Sequence, residues 1–249
     1  MRTALTTERI AGASPRFKAR TAGALYLIAF LAASFAEFFV RGRIVVGGDA
    51  AATATNILAQ EPLYRSGAAA VLVYLSCDTG VALIFYELFK PVSRSLSLLA
   101  AFFRLIEVAI LGGNLLNHFA PLVLLKGTPF LTVFKPDQLQ ALALVSLNLY
   151  AQVFFVAMVF FGFHCFLIGY LICRSAFLPR VLGVLMAITG LGYLTHSFAL
   201  FLSPALAAHL FPYLMALGLP GELSLTLWLL VLGVNIQRWK EQAGPGYFH

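Results

Sequence analysis

The sequence predicts an all-α membrane protein: a polytopic bundle of six transmembrane helices with one or two short surface helices. The chain has 249 residues, of which 61% are hydrophobic and 11% charged, whereas soluble domains carry about 25% charged residues. Six separate stretches are apolar over roughly the 20 residues that a helix needs to cross a bilayer. Most Lys and Arg residues lie at the ends of these stretches, so the net charge of +7 does not indicate a nucleic-acid-binding surface.

The first half of the chain is predicted to contain three spans. The first, 21–40, follows a basic segment. No convincing cleavage site comes after its apolar run, so we expect an uncleaved helix and not a signal peptide. The connection that follows is too polar to cross, but 50–59 has helical character and fits a helix at the membrane surface. The second span, 67–89, ends at Lys90-Pro91, and the third, 95–125, follows almost at once. These two spans should form a tight antiparallel hairpin.

The second half is predicted to add three more spans. Gly127, Pro129 and Pro136 mark a loop. The fourth span, 136–172, is longer than the bilayer requires and should tilt or extend beyond it. The fifth is 178–202, the proline-containing stretch 203–220 should form a short surface helix, and the sixth is 221–236. We expect three regions: a cytoplasmic segment 1–20, a transmembrane domain 21–236, and a disordered cytoplasmic tail 237–249.

The distribution of basic residues predicts the orientation. With the N-terminus inside, eleven Lys and Arg residues lie on the cytoplasmic side and five on the other, so both termini should be cytoplasmic. No internal repeat is visible, which argues against a transporter built from inverted repeats.

A polar stripe marks the third span. Arg104, Glu107, Asn114 and His118, with Leu111 between them, are spaced by 3, 4, 3 and 4 residues, which places them on one helix face. A charged group in mid-bilayer costs a few kcal/mol and normally faces protein, a partner or a water-filled cavity. Depth along the helices separates an outer group, which includes Asn114 and His118, from a deeper group that includes Arg104 and Glu107. The candidate ligand-binding residues are Asp78, Arg104, Glu107, Asn114, His118, Gln152, His164, Tyr193, His196 and Glu222.

These residues allow several pairings. Arg104 and Glu107 are three residues apart, so a salt bridge along one helix is favoured over anion binding by Arg104. If Asp78 faces Arg104 instead, Glu107 becomes a candidate proton carrier. Asp78 on its own is expected to hydrogen-bond a polar group on the third span, in a structural or a functional role.

Three roles are open for the histidines of the outer group. His118, His196 and Glu222 are residue types that zinc or non-haem iron accept, which makes them weak metal candidates. The favoured alternative is that each histidine donates to a neighbouring helix and fixes packing, and the third is a proton-linked or ligand-binding role. The small residues are expected to serve packing. Glycines on the fourth and fifth spans let helices approach closely. These glycines are Gly162, Gly169, Gly183, Gly190 and Gly192. The three cysteines are expected to be small hydrophobic packing residues.

Several motifs together resemble a known family. They are the runs 102–107, 160–164, 169–175, 177–183 and 221–224, with Trp228 after them. In this order they are similar to a bacterial membrane family catalogued as domain of unknown function 4386, over about residues 16–237. The resemblance implies a multi-span protein of the bacterial inner membrane. It brings no established activity, so no catalytic role is carried over.

Three functions remain open. The leading hypothesis is that the protein binds a small, largely apolar molecule in an intramembrane cavity floored by polar residues, for sensing or transport. The alternative is an intramembrane enzyme that uses acid–base or metal-assisted chemistry at His118, His196, Glu222 and Asp78. The third is a structural partner subunit. The expected partners are the lipid bilayer and a small apolar ligand, and nucleic acid is not expected; the sequence identifies neither a cofactor nor a protein partner.

Overall fold

A computed structural model describes residues 14–244, apart from the side chains of residues 211, 212, 215 and 217. This part of the chain is helical, without strands, as predicted. The helices are α1 Pro15–Ile44, α2 Ala50–Ala59, α3 Glu61–Phe89, α4 Arg94–Leu125, α5 Pro136–Arg174, α6 Arg180–Leu202, α7 Pro204–Val231 and α8 Ile236–Ala243, with a 3₁₀ turn at Pro129–Leu131.

Most predicted elements lie where the sequence placed them. α2 begins at the N-cap Asp49, whose carboxylate accepts from the amide of Ala52 at 2.9 Å. α3 and α4 are joined by a few residues, and the Ser97 hydroxyl donates to the Tyr86 carbonyl at 2.9 Å across that hairpin. Between Phe35 and Arg41, α1 takes a π-helical form that the sequence did not predict.

The stretch expected as a separate surface helix, 203–220, is instead part of α7. Pro204 lies in the first turn, where a missing amide costs nothing. Prolines within membrane helices are tolerated because side-chain hydroxyls and neighbouring helices can satisfy the freed carbonyls. One turn later, the Ser224 hydroxyl donates back to the carbonyl of Pro220 within α7. Glu222 therefore lies well inside a helix and not at the start of one.

The tail expected to be disordered forms a helix as far as Ala243. The Asn235 side chain caps it by accepting from the Arg238 amide at 3.1 Å. Trp239 is buried, and its indole nitrogen donates to the Leu88 carbonyl at 2.9 Å. Ile236, Trp239 and Ala243 share one face, which is the periodic signal that this short segment does carry. Residues 245–249 lie outside the described part.

Within residues 14–244, five helices are long and apolar enough to cross a membrane: α1, α3, α4, α5 and α6. The count is six if Gly218–Val231 of α7 is taken with α8, which bends away from it by 100°. The protein is thus an all-α, multi-pass bundle, and lipid contact is compatible with these helices.

The chain forms two compact units. The Arg104 unit contains residues 1–27, 78–107 and 158–249, and the His118 unit contains residues 28–77 and 108–157. Helices α1, α3, α4 and α5 contribute residues to both. The polar stripe of α4 is therefore divided, with Arg104 and Glu107 in one unit and Asn114 and His118 in the other.

Close glycine packing joins α5 to α6 within the Arg104 unit. A Cβ added to Gly169 would lie 2.6 Å from the Gly183 carbonyl oxygen, and one on Gly190 would lie 2.6 Å from the Gly162 carbonyl oxygen. The backbones can approach this closely because neither residue has a side chain. The prediction that these glycines serve close helix contacts is confirmed for both pairs.

Candidate functional site

The Arg104 unit contains a buried ion pair. Arg104 Nη2 lies 2.6 Å from Asp78 Oδ1, and Arg104 Nε lies 3.1 Å from Asp78 Oδ2, so the contact is bidentate. Both side chains are 0% exposed. The expected hydrogen bond from Asp78 to the third span is confirmed. The sequence favoured a salt bridge from Arg104 to Glu107, with Asp78 as the alternative partner, and the bidentate partner is Asp78 of α3. Glu107 is completely buried nearby.

The third guanidinium nitrogen fixes His164. Arg104 Nη1 lies 2.9 Å from His164 Nε2, and His164 Nδ1 lies 2.8 Å from the Ala100 carbonyl oxygen. An arginine can only donate and a carbonyl can only accept. Nε2 is therefore the acceptor and Nδ1 carries the hydrogen, which defines a single tautomer of the imidazole. His164, predicted only as a ligand-binding candidate, is thus held in place by Arg104 and the Ala100 carbonyl.

Tyr26 connects this ion pair to Glu222. The Arg104 guanidinium lies over the Tyr26 ring at 4.6 Å, a favourable cation–π distance. The Tyr26 hydroxyl donates to Glu222 Oε2 at 3.1 Å, and the Tyr193 hydroxyl donates to Oε1 at 2.5 Å. Tyr193 in turn packs on Phe161, 5.7 Å between ring centroids. Residues Tyr26, Asp78, Arg104, His164, Tyr193 and Glu222 are called the Arg104 network below.

Glu222 and Tyr193 therefore lie in the Arg104 unit, whereas their predicted depths had grouped them with His118. The depth of Glu222 was counted from a span starting at Gly221, whereas α7 starts at Pro204. His196 is also in the Arg104 unit, where it is buried. Among residues 14–244, no three His, Cys, Asp or Glu side chains come together in a way that could hold a metal ion.

The His118 unit contains a second polar site. His118 Nε2 lies 3.1 Å from the Tyr64 carbonyl oxygen, and the Tyr64 hydroxyl donates to the His118 carbonyl at 2.6 Å. The two rings stack with centroids 4.2 Å apart. Because the carbonyl accepts, His118 Nε2 is the donor. This is the packing role expected if the histidine bonds a neighbouring helix.

A small cavity lies beside this reciprocal pair. Its volume is about 20 Å³, room for about one water molecule. Arg41 forms part of its wall, with its guanidinium 5.6 Å from the centre of the Tyr150 ring and Nη1 donating to the Leu147 carbonyl at 3.4 Å. The residues around this cavity are called the His118 pocket below. They are Ala36, Glu37, Val40, Arg41, Val45, Tyr64, Gly67, Val71, His118, Leu147 and Tyr150.

Of the two other candidate residues in this unit, Asn114 lies beside the pocket and Gln152 does not line it. Asn114 is buried and its amide donates to the Tyr150 carbonyl at 2.9 Å, which ties α4 to the α5 residue that lines the pocket. Gln152 is exposed and is not among the lining residues. Sequence reasoning missed Tyr26, Arg41, Tyr64 and Tyr150 as site residues. A single tyrosine in an apolar helix carries no spacing signal, and Arg41 was taken as a residue at the end of a span.

Comparison with known proteins decides the family. Residues 21–233 match the family described as "Domain of unknown function (DUF4386)". The chain belongs to the DUF4386 family. This DUF4386 protein is also similar to an archaeal protein named "Uncharacterized protein", from Archaeoglobus fulgidus, with 25% identity over 163 residues, 66% of this chain and 81% of the relative. No solved structure matches the chain. Because that relative is archaeal, the bacterial inner membrane is not confirmed as the location.

Proposed function

We propose that this DUF4386 protein binds a small, largely apolar molecule in the His118 pocket, as a membrane sensor or transporter. The observation that supports this most is the π-helical segment Phe35–Arg41, which contributes four residues to the pocket wall. π-helical turns are rare and occur frequently at functional sites. This segment supplies all the α1 residues that line the His118 pocket.

The lining has the composition of a small-molecule site. Such sites are mostly apolar and hold a few polar groups that orient the ligand. Val40, Val71 and Leu147 provide apolar surface, while Arg41 and His118 provide polar groups. A molecule with an apolar body and one polar end fits this combination.

Binding requires the pocket to widen, because about 20 Å³ is too small for any organic ligand. The side that can open is the one formed by the π-helical segment. Glu37 has a side chain that is 60% exposed and pairs with Arg41 at 3.3 Å. The hydrogen bond from Arg41 to the Leu147 carbonyl is long, at 3.4 Å, and long bonds are weak. Movement of Arg41 therefore costs little compared with movement of the stacked Tyr64 and His118.

The Arg104 network has a different role in this proposal. Both oxygens of Asp78 and three nitrogens of Arg104 are used within the unit. A network satisfied in this way stabilises one helix arrangement and leaves few groups for a ligand. We therefore assign a structural role to the Arg104 network and ligand binding to the His118 pocket. The intramembrane enzyme has no comparable support among the described residues.

A cavity-filling variant tests the proposal. Val71 lines the pocket and Val73, on the same helix, is 47% exposed. Protein purified in a mild neutral detergent would be extracted and the extract searched by mass spectrometry for a co-purifying small molecule. We expect the same molecule with the native protein and with Val73→Phe, and at least a ten-fold lower amount with Val71→Phe.

Thermal unfolding provides the folding control for Val71→Phe, since overpacking costs about 1–3 kcal/mol. A folded Val71→Phe protein that retains the molecule in full would refute the pocket assignment. So would the recovery of no molecule above that found in an empty-vector preparation.

A further inference from the structure

An open groove lies at the junction of α7 and α8. Its volume is about 490 Å³, and its lining includes Arg16, Phe177, Trp228, Leu232 and Gln237. The chain turns sharply here, with α8 bent by 100° from Gly218–Val231. Gly233 makes the turn with φ +69°, a left-handed conformation that other residues rarely adopt. All lining residues belong to the Arg104 unit, so the groove is independent of the His118 pocket.

The surface of the Arg104 unit is strongly basic. Among its described residues, seven Arg and Lys side chains are exposed against a single exposed carboxylate, Glu241. The seven are Arg16, Arg20, Arg94, Arg174, Arg180, Arg238 and Lys240. Arg16 lines the groove itself, and Arg20 lies one helical turn further, where Nη2 donates to the Val231 carbonyl at 3.0 Å. An anion at this groove therefore meets an excess of positive charge, and the one exposed carboxylate, Glu241, accepts from Gln237 of the lining at 3.2 Å.

The bend also indicates the depth of the groove. A helix nearly perpendicular to an apolar spanning segment runs along the membrane plane. α8 suits that position, since Trp239 is buried while Arg238 and Lys240 are exposed. The groove then lies at the level of the lipid headgroups, where tryptophan residues such as Trp228 are enriched.

We propose that this groove binds an anionic phospholipid, with the phosphate at Arg16 and the start of the acyl chains against Trp228 and Leu232. Basic pockets between membrane helices are established sites for anionic headgroups. The lining favours a lipid over free phosphate, because the partly exposed Trp228 and Leu232 offer apolar surface that a free anion does not use. One wall of the groove thus carries positive charge for the lipid phosphate, and the other is apolar and fits the acyl chains.

Lipid titration of the whole protein tests this inference. Purified protein in neutral detergent would be titrated with short-chain phosphatidylglycerol, phosphatidylcholine or inorganic phosphate, with apparent Kd measured by thermophoresis. We expect phosphatidylglycerol to bind more tightly than either of the others. Since each basic residue near a lipid surface contributes about a five-fold change in affinity, Arg16→Gln should weaken phosphatidylglycerol binding by that factor.

Position 237 gives a second, conservative test. Gln237 is exposed and lines the groove. We expect Gln237→Glu to weaken phosphatidylglycerol binding and Gln237→Lys to strengthen it, while Arg94→Gln, a change at an exposed arginine outside the groove, leaves it unaltered. Equal affinity for phosphatidylglycerol and phosphatidylcholine would overturn the proposal. So would equally tight binding of inorganic phosphate, or equal effects of Arg16→Gln and Arg94→Gln.

Discussion

Asp78 on α3 and Arg104 on α4 form a bidentate ion pair from which solvent is completely excluded. Both contacts, at 2.6 and 3.1 Å, use the paired geometry in which a guanidinium matches a carboxylate. Breaking such a pair leaves one buried charge without compensation, whereas replacing both partners by apolar residues is often tolerated. The pair therefore makes a clear prediction about stability.

We expect Asp78→Leu and Arg104→Met each to lower the free energy of unfolding by about 3–5 kcal/mol. The double variant should lose much less than the sum of the two, because no unpaired charge remains at the pair. Unfolding of the purified protein in detergent, followed by circular dichroism, measures all three. Additive losses would show that the two side chains stabilise the fold independently.

Tyr26 is expected to act through both its hydroxyl and its ring. Tyr26→Phe removes only the hydrogen bond to Glu222, which we expect to cost about 0.5–3 kcal/mol, the range that spans neutral and charged acceptors. Tyr26→Leu also removes the ring beneath Arg104, at a further cost of about 0.5–2 kcal/mol. The same unfolding assay ranks the two variants. In a Glu222→Leu background, which offers the hydroxyl no acceptor, the cost of Tyr26→Phe should fall; an unchanged cost would show that the hydroxyl does not act through Glu222.

The glycine contacts of α5 and α6 predict a difference between two alanine substitutions. A methyl group at Gly169 meets backbone atoms of α6 at 2.6 Å, while one at Gly113 on α4 meets nothing within 4 Å. We expect Gly169→Ala to destabilise the protein by at least about 2 kcal/mol, in the range of other overpacking substitutions. Gly113→Ala should be neutral or stabilising, by up to about 1 kcal/mol, since alanine favours a helix. Similar melting temperatures for the two variants would contradict this packing.

The basic residues predict that both ends of the chain lie in the cytoplasm, which requires an even number of membrane crossings. Single cysteines can be placed at Ser14, at Gln242 and at Phe134 in the loop between α4 and α5, after replacement of Cys77, Cys165 and Cys173. In intact cells, we expect a membrane-impermeant thiol reagent to label only Phe134→Cys. Labelling of Gln242→Cys but not Ser14→Cys would instead indicate an odd number of crossings.

The sequence determined the fold class and most helices, because apolar length and breaker residues act locally. It identified Asp78, Arg104, Asn114, His118 and His164 as polar groups inside a bundle, since burying such groups is costly anywhere along a span. The wrong predictions came from the same reliance on local sequence patterns. Prolines were taken to end helices as they do in water, yet α7 continues past Pro220, and a short polar tail was taken as disordered although Trp239 anchors it.

Which of these polar side chains contact each other depends on the tertiary structure. Spacing along α4 gives the face on which Arg104 lies, but the helix opposite that face supplies its partner. Arg104 therefore pairs with Asp78 of α3. Tyr26, which no sequence pattern marks as a site residue, links Arg104 to Glu222. The pocket beside His118 likewise depends on Arg41 and a π-helical turn, and neither follows from the local pattern of residues. Periodicity reports the environment of a side chain, whereas its partner depends on how helices distant in sequence pack together.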